Sequence, residues 1–188
     1  MTTLPNRTAT AVLVVDAQNA ALRDTHRRAE VVAAIGRLAD RARAAGAPVV
    51  WVRHGDEQMP VGSEAWQIVP ELAPAPGEPL VGKGWADSFE ASSLEEELAA
   101  RAVGRLLVAG AQTDVCIRST LHGALVRGYD TVLVSDAHTC SDETALGAPA
   151  PELVIAHTNL YWSGQHAPGR QGGTVTADRA GFGAVPAP

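Results

Sequence analysis

The chain has 188 residues and carries 15 Lys+Arg against 21 Asp+Glu, a net charge of −6. Apolar residues make up 46% and charged residues 19%, which suits a packed domain and excludes wholesale disorder. The acidic balance, with no basic run, argues against a nucleic-acid or anionic-membrane partner. One domain over residues 1–188 is the natural expectation at this length. No stretch reaches the roughly 20 apolar residues of a membrane span. The N-terminus lacks the charged and apolar regions of a signal peptide, so a cytoplasmic location is expected. Two cysteines, Cys116 and Cys140, are too few for a disulfide framework.

Strand-like and helix-like segments alternate. Ala11–Asp16 is apolar up to its last residue, as a strand buried on both faces should be. Val31, Ile35, Leu38, Ala42 and Ala45 form one helical stripe, stopped by Gly46. Residues 48–53 read as the second strand. Residues 54–79 read as a loop interrupted by five prolines; a connection this long is often functional. Pro79–Val81 is a short third strand. Ser92 and Glu95 have the spacing of a capping box, with Leu94, Leu98 and Ala102 facing inward. Arg105–Gly110 is the fourth strand. A helix follows from near Thr113 to Gly128, with Ile117, Leu121, Ala124 and Leu125 inward. Thr131–Ser135, a helix over Pro151–Leu160 and a last strand over Gly173–Ala177 complete the pattern. Gly169–Gly173 reads as a loop. The alternation predicts an α/β fold, a three-layer αβα sandwich with a central parallel sheet of about six strands.

Ligands in such folds sit beyond the carboxyl ends of the strands. Asp16, Lys83 and Cys116 all fall there. With Thr113 as N-cap, Cys116 is at N3, where free N–H groups and the helix dipole favour a thiolate. A nearby lysine would depress the thiol further, and an aspartate could take its proton. Taken singly, Cys116 also reads as apolar filler, Lys83 as a turn residue and Asp16 as a strand-end cap.

The local runs add information. Val14-Val-Asp16-Ala-Gln18-Asn19, Gly82-Lys83-Gly84-Trp85-Ala86-Asp87-Ser88-Phe89 and Gly110-Ala-Gln-Thr113-Asp-Val-Cys116-Ile resemble the isochorismatase-like cysteine hydrolases. Trp51-Val-Arg-His54 and Gly128-Tyr-Asp-Thr-Val-Leu-Val-Ser-Asp136-Ala137 are also similar. The resemblance covers roughly residues 11–160, with its motifs in family order. It implies a catalytic triad of Asp16, Lys83 and Cys116. It also implies a cis peptide at Ala111–Gln112, and an oxyanion hole built from the backbone N–H groups of Gln112 and Cys116.

The implied activity is hydrolysis of a C–N bond in a small amide, ureide or lactam through a thioester. The isochorismatases proper open a vinyl ether and usually lack the nucleophilic cysteine, so Cys116 favours amide chemistry. Family substrates include nicotinamide, ureidoacrylate and the streptothricin lactam, and an antibiotic lactam is one expected target. A nicotinamidase-type amidase is an alternative. So is a non-catalytic scaffold of the same fold, or a thiol redox protein using Cys116 and Cys140. Related nicotinamidases bind a metal through an aspartate and histidines. Here the segment between the second and third strands offers His54, Asp56 and Glu57 but no second histidine before Lys83, so neither a metal nor another cofactor is expected. Gln18, His54, Trp85 and Phe89 are the expected substrate contacts. Family members are often dimers or tetramers, so a homo-oligomer acting on a small molecule is expected.

Overall fold

A computed structural model describes residues 2–184. The all-apolar run that ends at Val15 forms β1 (Ala9–Val15), buried from Thr10 onward because both faces of the sheet are covered. The striped segment forms α1 (Arg28–Ala44), followed by β2 (Val49–His54) and β3 (Leu80–Lys83). Next come α2 (Leu94–Ala100) and β4 (Val103–Ala111). A π-helical turn, Thr113–Ile117, leads into α3 (Arg118–Arg127). Then follow β5 (Asp130–Thr139), α4 (Pro151–Ser163), β6 (His166–Ala167), β7 (Arg170–Gln171) and β8 (Thr174–Val175).

The main sheet has six strands in the order β3-β2-β1-β4-β5-β8. Every neighbouring pair is parallel, as the alternation predicts. The side chains of β1 alternate between two cores. Val12 and Val14 face α1 with Ile35, Leu38 and Trp51. Ala11, Leu13 and Val15 face the other layer with Leu94, Leu98, Leu121 and Trp162. The strand order reverses direction between β1 and β4, and a ligand crevice belongs at such a switch point.

Three departures from the expected elements have local causes. The Ser92–Glu95 capping box does not form. Ser92 Oγ accepts the N–H of Leu94 at 3.2 Å, but Glu95 is drawn away by Arg7 at 2.6 Å and by the Tyr129 hydroxyl at 2.7 Å. Strand β5 runs to Thr139, four residues past its apolar run, because the β4–β5 ladder shifts register after Val108 and resumes at Gly110–His138. Around Gly169 the chain forms a short antiparallel hairpin, β6–β7, where a loop is expected. Gly169 takes a positive φ of 71° at its turn.

The β1–β4 junction is tight. Gly110 has φ 125° and pairs with Val15. A Cβ at that position would run into the Val15 backbone. Gly110→Ala is therefore expected to destabilise the chain by about 3 kcal/mol, from positive-φ strain plus overpacking. Urea unfolding checks this as a lower midpoint with an unchanged slope.

Candidate active site

Asp16 follows β1 with φ 52°, a left-handed conformation that aspartate tolerates better than most side chains. Its backbone N–H is held by Val52 O at 2.9 Å. Lys83 ends β3, and Cys116 is the fourth residue of the π-helical turn. Three segments distant in sequence thus meet beyond the carboxyl ends of the strands. Lys83 Nζ lies 2.7 Å from Asp16 Oδ2 and 3.3 Å from Cys116 Sγ. The Lys83 side chain is fully buried and that of Asp16 is 3% exposed, so this is an ion pair removed from water. The other carboxylate oxygen, Asp16 Oδ1, is buried and accepts no hydrogen bond. Leaving such an atom unpaired costs about 1–3 kcal/mol, and it is a ready proton acceptor.

The electrostatics differ from the expectation for Cys116. Burial pushes the Asp16 carboxyl above the usual carboxylate range, with Lys83 pulling it back. Burial, then the Asp16 carboxylate, push the Cys116 thiol up to about 12, against the pull of Lys83. The 2.7 Å Lys83–Asp16 contact therefore stands beside a neutral thiol. The expected N3 position is also replaced. Gln112 precedes the π-helical turn as its cap, and Thr113 Oγ1 instead pairs with His138 Nδ1 at 2.9 Å. His138 Nε2 meets Asn159 Oδ1 at 3.1 Å, so β5 and α4 brace the turn that carries Cys116.

A cavity of about 360 Å³ opens beside the cluster, lined in part by Asp16, Cys116, His54, Gln112, Met59 and Arg23. The Ala111–Gln112 peptide is cis, at the position that the resemblance implies. The Gln112 side chain is committed: Nε2 donates to Ala21 O at 2.7 Å and Oε1 accepts the Ser141 N–H at 2.7 Å. Among the described residues, no group of three or more His, Cys, Asp and Glu is arranged to hold a metal ion.

Of the expected substrate contacts, His54 lines the cavity and the other three do not. Gln18 is fully buried. Its Nε2 donates to His54 O at 2.9 Å and Trp66 O at 2.8 Å, and its Oε1 accepts the His54 N–H at 2.8 Å. All of that side chain is spent clamping the 54–79 loop against β1. Phe89 packs in the core against Tyr129, ring centroids 5.6 Å apart, with the Arg127 guanidinium 4.9 Å from its ring. Trp85 is 64% exposed and outside the cavity wall. Sequence reading missed Arg23, Gln58 and Met59 as wall residues. Their only signal is their place in the loops after β1 and β2, the carboxyl-end loops where a site is expected. Cys140 is a free, buried thiol pushed up to about 11, mainly by burial.

A doubly wound parallel sheet with a buried carboxylate and ammonium beside a half-buried thiol at its switch point defines the α/β class of this protein. The isochorismatase domain model matches residues 10–148, and the chain belongs to that family. It is 36% identical over 141 residues to a streptothricin hydrolase of Streptomyces noursei, covering 70% of this chain and 55% of that protein. It is 30% identical over 170 residues to a ureidoacrylate amidohydrolase of Methylobacterium radiotolerans, covering 68% of this chain and 66% of that one. The chain thus spans less than two thirds of either relative. Among solved structures, a cysteine hydrolase from Pseudomonas syringae pv. phaseolicola superposes with a TM-score of 0.79 at 24% identity, over 95% of this chain and 93% of the other. An N-carbamoylsarcosine amidase from Thermoplasma acidophilum gives 0.71 at 21% identity, over 92% and 98%. These two likenesses show the shared fold.

The raised thiol makes a prediction about alkylation by iodoacetamide, followed by peptide mass spectrometry. A free cysteine reaches its full rate above a pKa of about 8.5. Cys116 is expected to react slowly at neutral pH and to keep gaining rate beyond pH 10. In Asp16→Asn the carboxylate that disfavours the thiolate is gone and Lys83 remains. The profile is then expected to shift to lower pH. An early plateau in the native chain would contradict the neutral resting thiol.

Proposed function

We propose that this chain is a cysteine hydrolase that opens a C–N bond in a small amide, ureide or lactam. The observation that carries the reading is Lys83 Nζ, buried and touching both Asp16 Oδ2 and Cys116 Sγ beside a ligand-sized cavity. Fold and family membership support it.

The chemistry follows from the resting charges. A thiolate standing alone would place two anions against one buried cation, so the thiol proton leaves only as the carbonyl arrives. Asp16 Oδ1, with no other partner, takes the proton while Sγ forms its bond to the carbonyl carbon. Lys83 stabilises the charge that develops on sulfur and keeps Oδ2 in place. The backbone N–H groups of Gln112 and Cys116 hold the carbonyl oxygen as it becomes an oxyanion; one such donor is worth about 2.7–4 kcal/mol. The intermediate collapses by breaking the C–N bond, and Asp16 returns its proton to the leaving nitrogen. Water then attacks the thioester, with Asp16 as base. The thiol is regenerated and a carboxylic or carbamic acid is released.

Arg23 narrows the substrate. It lines the cavity, and its side chain has no hydrogen-bond or ion-pair partner among the described residues. A substrate with an anionic group away from the scissile bond matches it. A ureido acid, the kind of compound named in the ureidoacrylate relatives, therefore fits this wall.

The test is a panel of amides, lactams and ureido acids assayed for ammonia release or net addition of water. Turnover is expected, with a covalent acyl adduct on Cys116 in the intact mass. Cys116→Ala is expected to lower kcat/KM by more than about 1,000-fold. Arg23→Gln is expected to raise KM about tenfold for anionic substrates only, the effect of losing a roughly 1.4 kcal/mol charge contact. A panel without turnover, or turnover that survives Cys116→Ala, would overturn the hydrolase reading.

A further inference from the structure

We propose that His54 is a positioning residue that takes one of the three hydrogens of the Lys83 ammonium and thereby aims the other two at Asp16 and Cys116. The inference rests on the proposed role of Lys83, but its test reads the lysine itself.

Strand register brings the two side chains together. His54 ends β2, Lys83 ends β3, and they are paired residues of the parallel ladder. The Gly55 N–H donates to Lys83 O at 2.9 Å and locks that register. Lys83 Nζ then has three neighbours: Asp16 Oδ2 at 2.7 Å, Cys116 Sγ at 3.3 Å and His54 Nδ1 at 3.3 Å. An ammonium has three donors and no acceptor. One hydrogen per neighbour satisfies it completely, which a buried cation requires.

This assignment fixes the imidazole. Nδ1 accepts, so it is unprotonated, and the ring proton is on Nε2. Nε2 lies 3.0 Å from Asp56 Oδ2, an acceptor in the right place. Asp56 is itself held, because its Oδ1 accepts the N–H groups of Met59 at 2.6 Å and Gln58 at 2.9 Å. Those bonds keep its carboxyl below the usual range. The His54 backbone is fixed on both sides by the Gln18 amide. Both ring nitrogens are thus occupied. His54 borders the cavity, yet it acts on Lys83 and offers no free nitrogen to a ligand.

Lys83 is the single lysine of the sequence, so protein labelled with ¹⁵N-lysine shows one side-chain ammonium signal. The wild type is expected to give a resolved, slowly exchanging signal. His54→Asn keeps an acceptor oxygen near the place of Nδ1 and is expected to retain it. His54→Leu is expected to broaden or shift it strongly, while the backbone amide spectrum stays folded. On any substrate found, His54→Leu should lower kcat at least tenfold with little change in KM, and His54→Asn should recover part of that loss. In the wild type, ¹⁵N-histidine spectra should show an unprotonated Nδ1 and a protonated Nε2 for His54, a measurement that needs no variant to fold. Three results would each overturn the proposal: no resolved lysine signal in the wild type, an unchanged signal in His54→Leu, or a protonated Nδ1. A chain without turnover whose lysine behaves as described would remove the hydrolase reading and leave this one standing.

Discussion

The structure is organised around a buried ion pair. Taking Asp16 and Lys83 out of water costs several kcal/mol per charge, and attraction repays this only where geometry is good and the remaining hydrogens are matched. The fold meets that demand from several directions. The end of β1 adopts a positive φ at Asp16 to aim the carboxylate. The β2–β3 ladder sets Lys83 beside His54. The π-helical turn after β4 brings Sγ within reach of Nζ. Removing one partner of a buried pair leaves an uncompensated charge, typically a loss of 3–5 kcal/mol. Stability and site chemistry therefore rest on the same contacts.

The pair also sets the state of the thiol. Lysine beside cysteine usually signals a thiolate, but here the lysine charge is already matched by Asp16. Burial and the carboxylate together outweigh it. The same carboxylate that holds the thiol neutral has a buried, unpartnered oxygen. On the proposed mechanism, that oxygen receives the proton at the moment of attack. On the same proposal the nucleophile is generated only when an electrophile fills the site, and the neutral resting thiol is slow to oxidise or alkylate.

Much of the architecture was legible because both faces of the sheet are covered. Continuous apolar runs mark buried parallel strands, so all six strands of the sheet were found, with ends displaced by one to four residues. Asp16, Lys83 and Cys116 were legible from their places after strands and from family-like runs; that Lys83 is the only lysine was a further, unused signal. Side-chain assignments failed where a distant partner decided them. Glu95 has capping-box spacing, but Arg7 and Tyr129 hold it. Gln18 lies two residues from Asp16, yet it clamps a loop. Phe89 follows the lysine motif and turns into the core.

The sequence by itself determined the order and type of the elements, the parallel sheet and the segments that bear the reactive groups. These depend on local periodicity and on backbone rules that operate over a few residues. Only the tertiary structure decided the protonation of the thiol, the tautomer and partners of His54, and which side chains face the cavity. Each of those is set by burial and by charges brought together across gaps of up to 100 residues. Local pattern carries no record of desolvation or of strand register, and those two quantities fix the chemistry of this site.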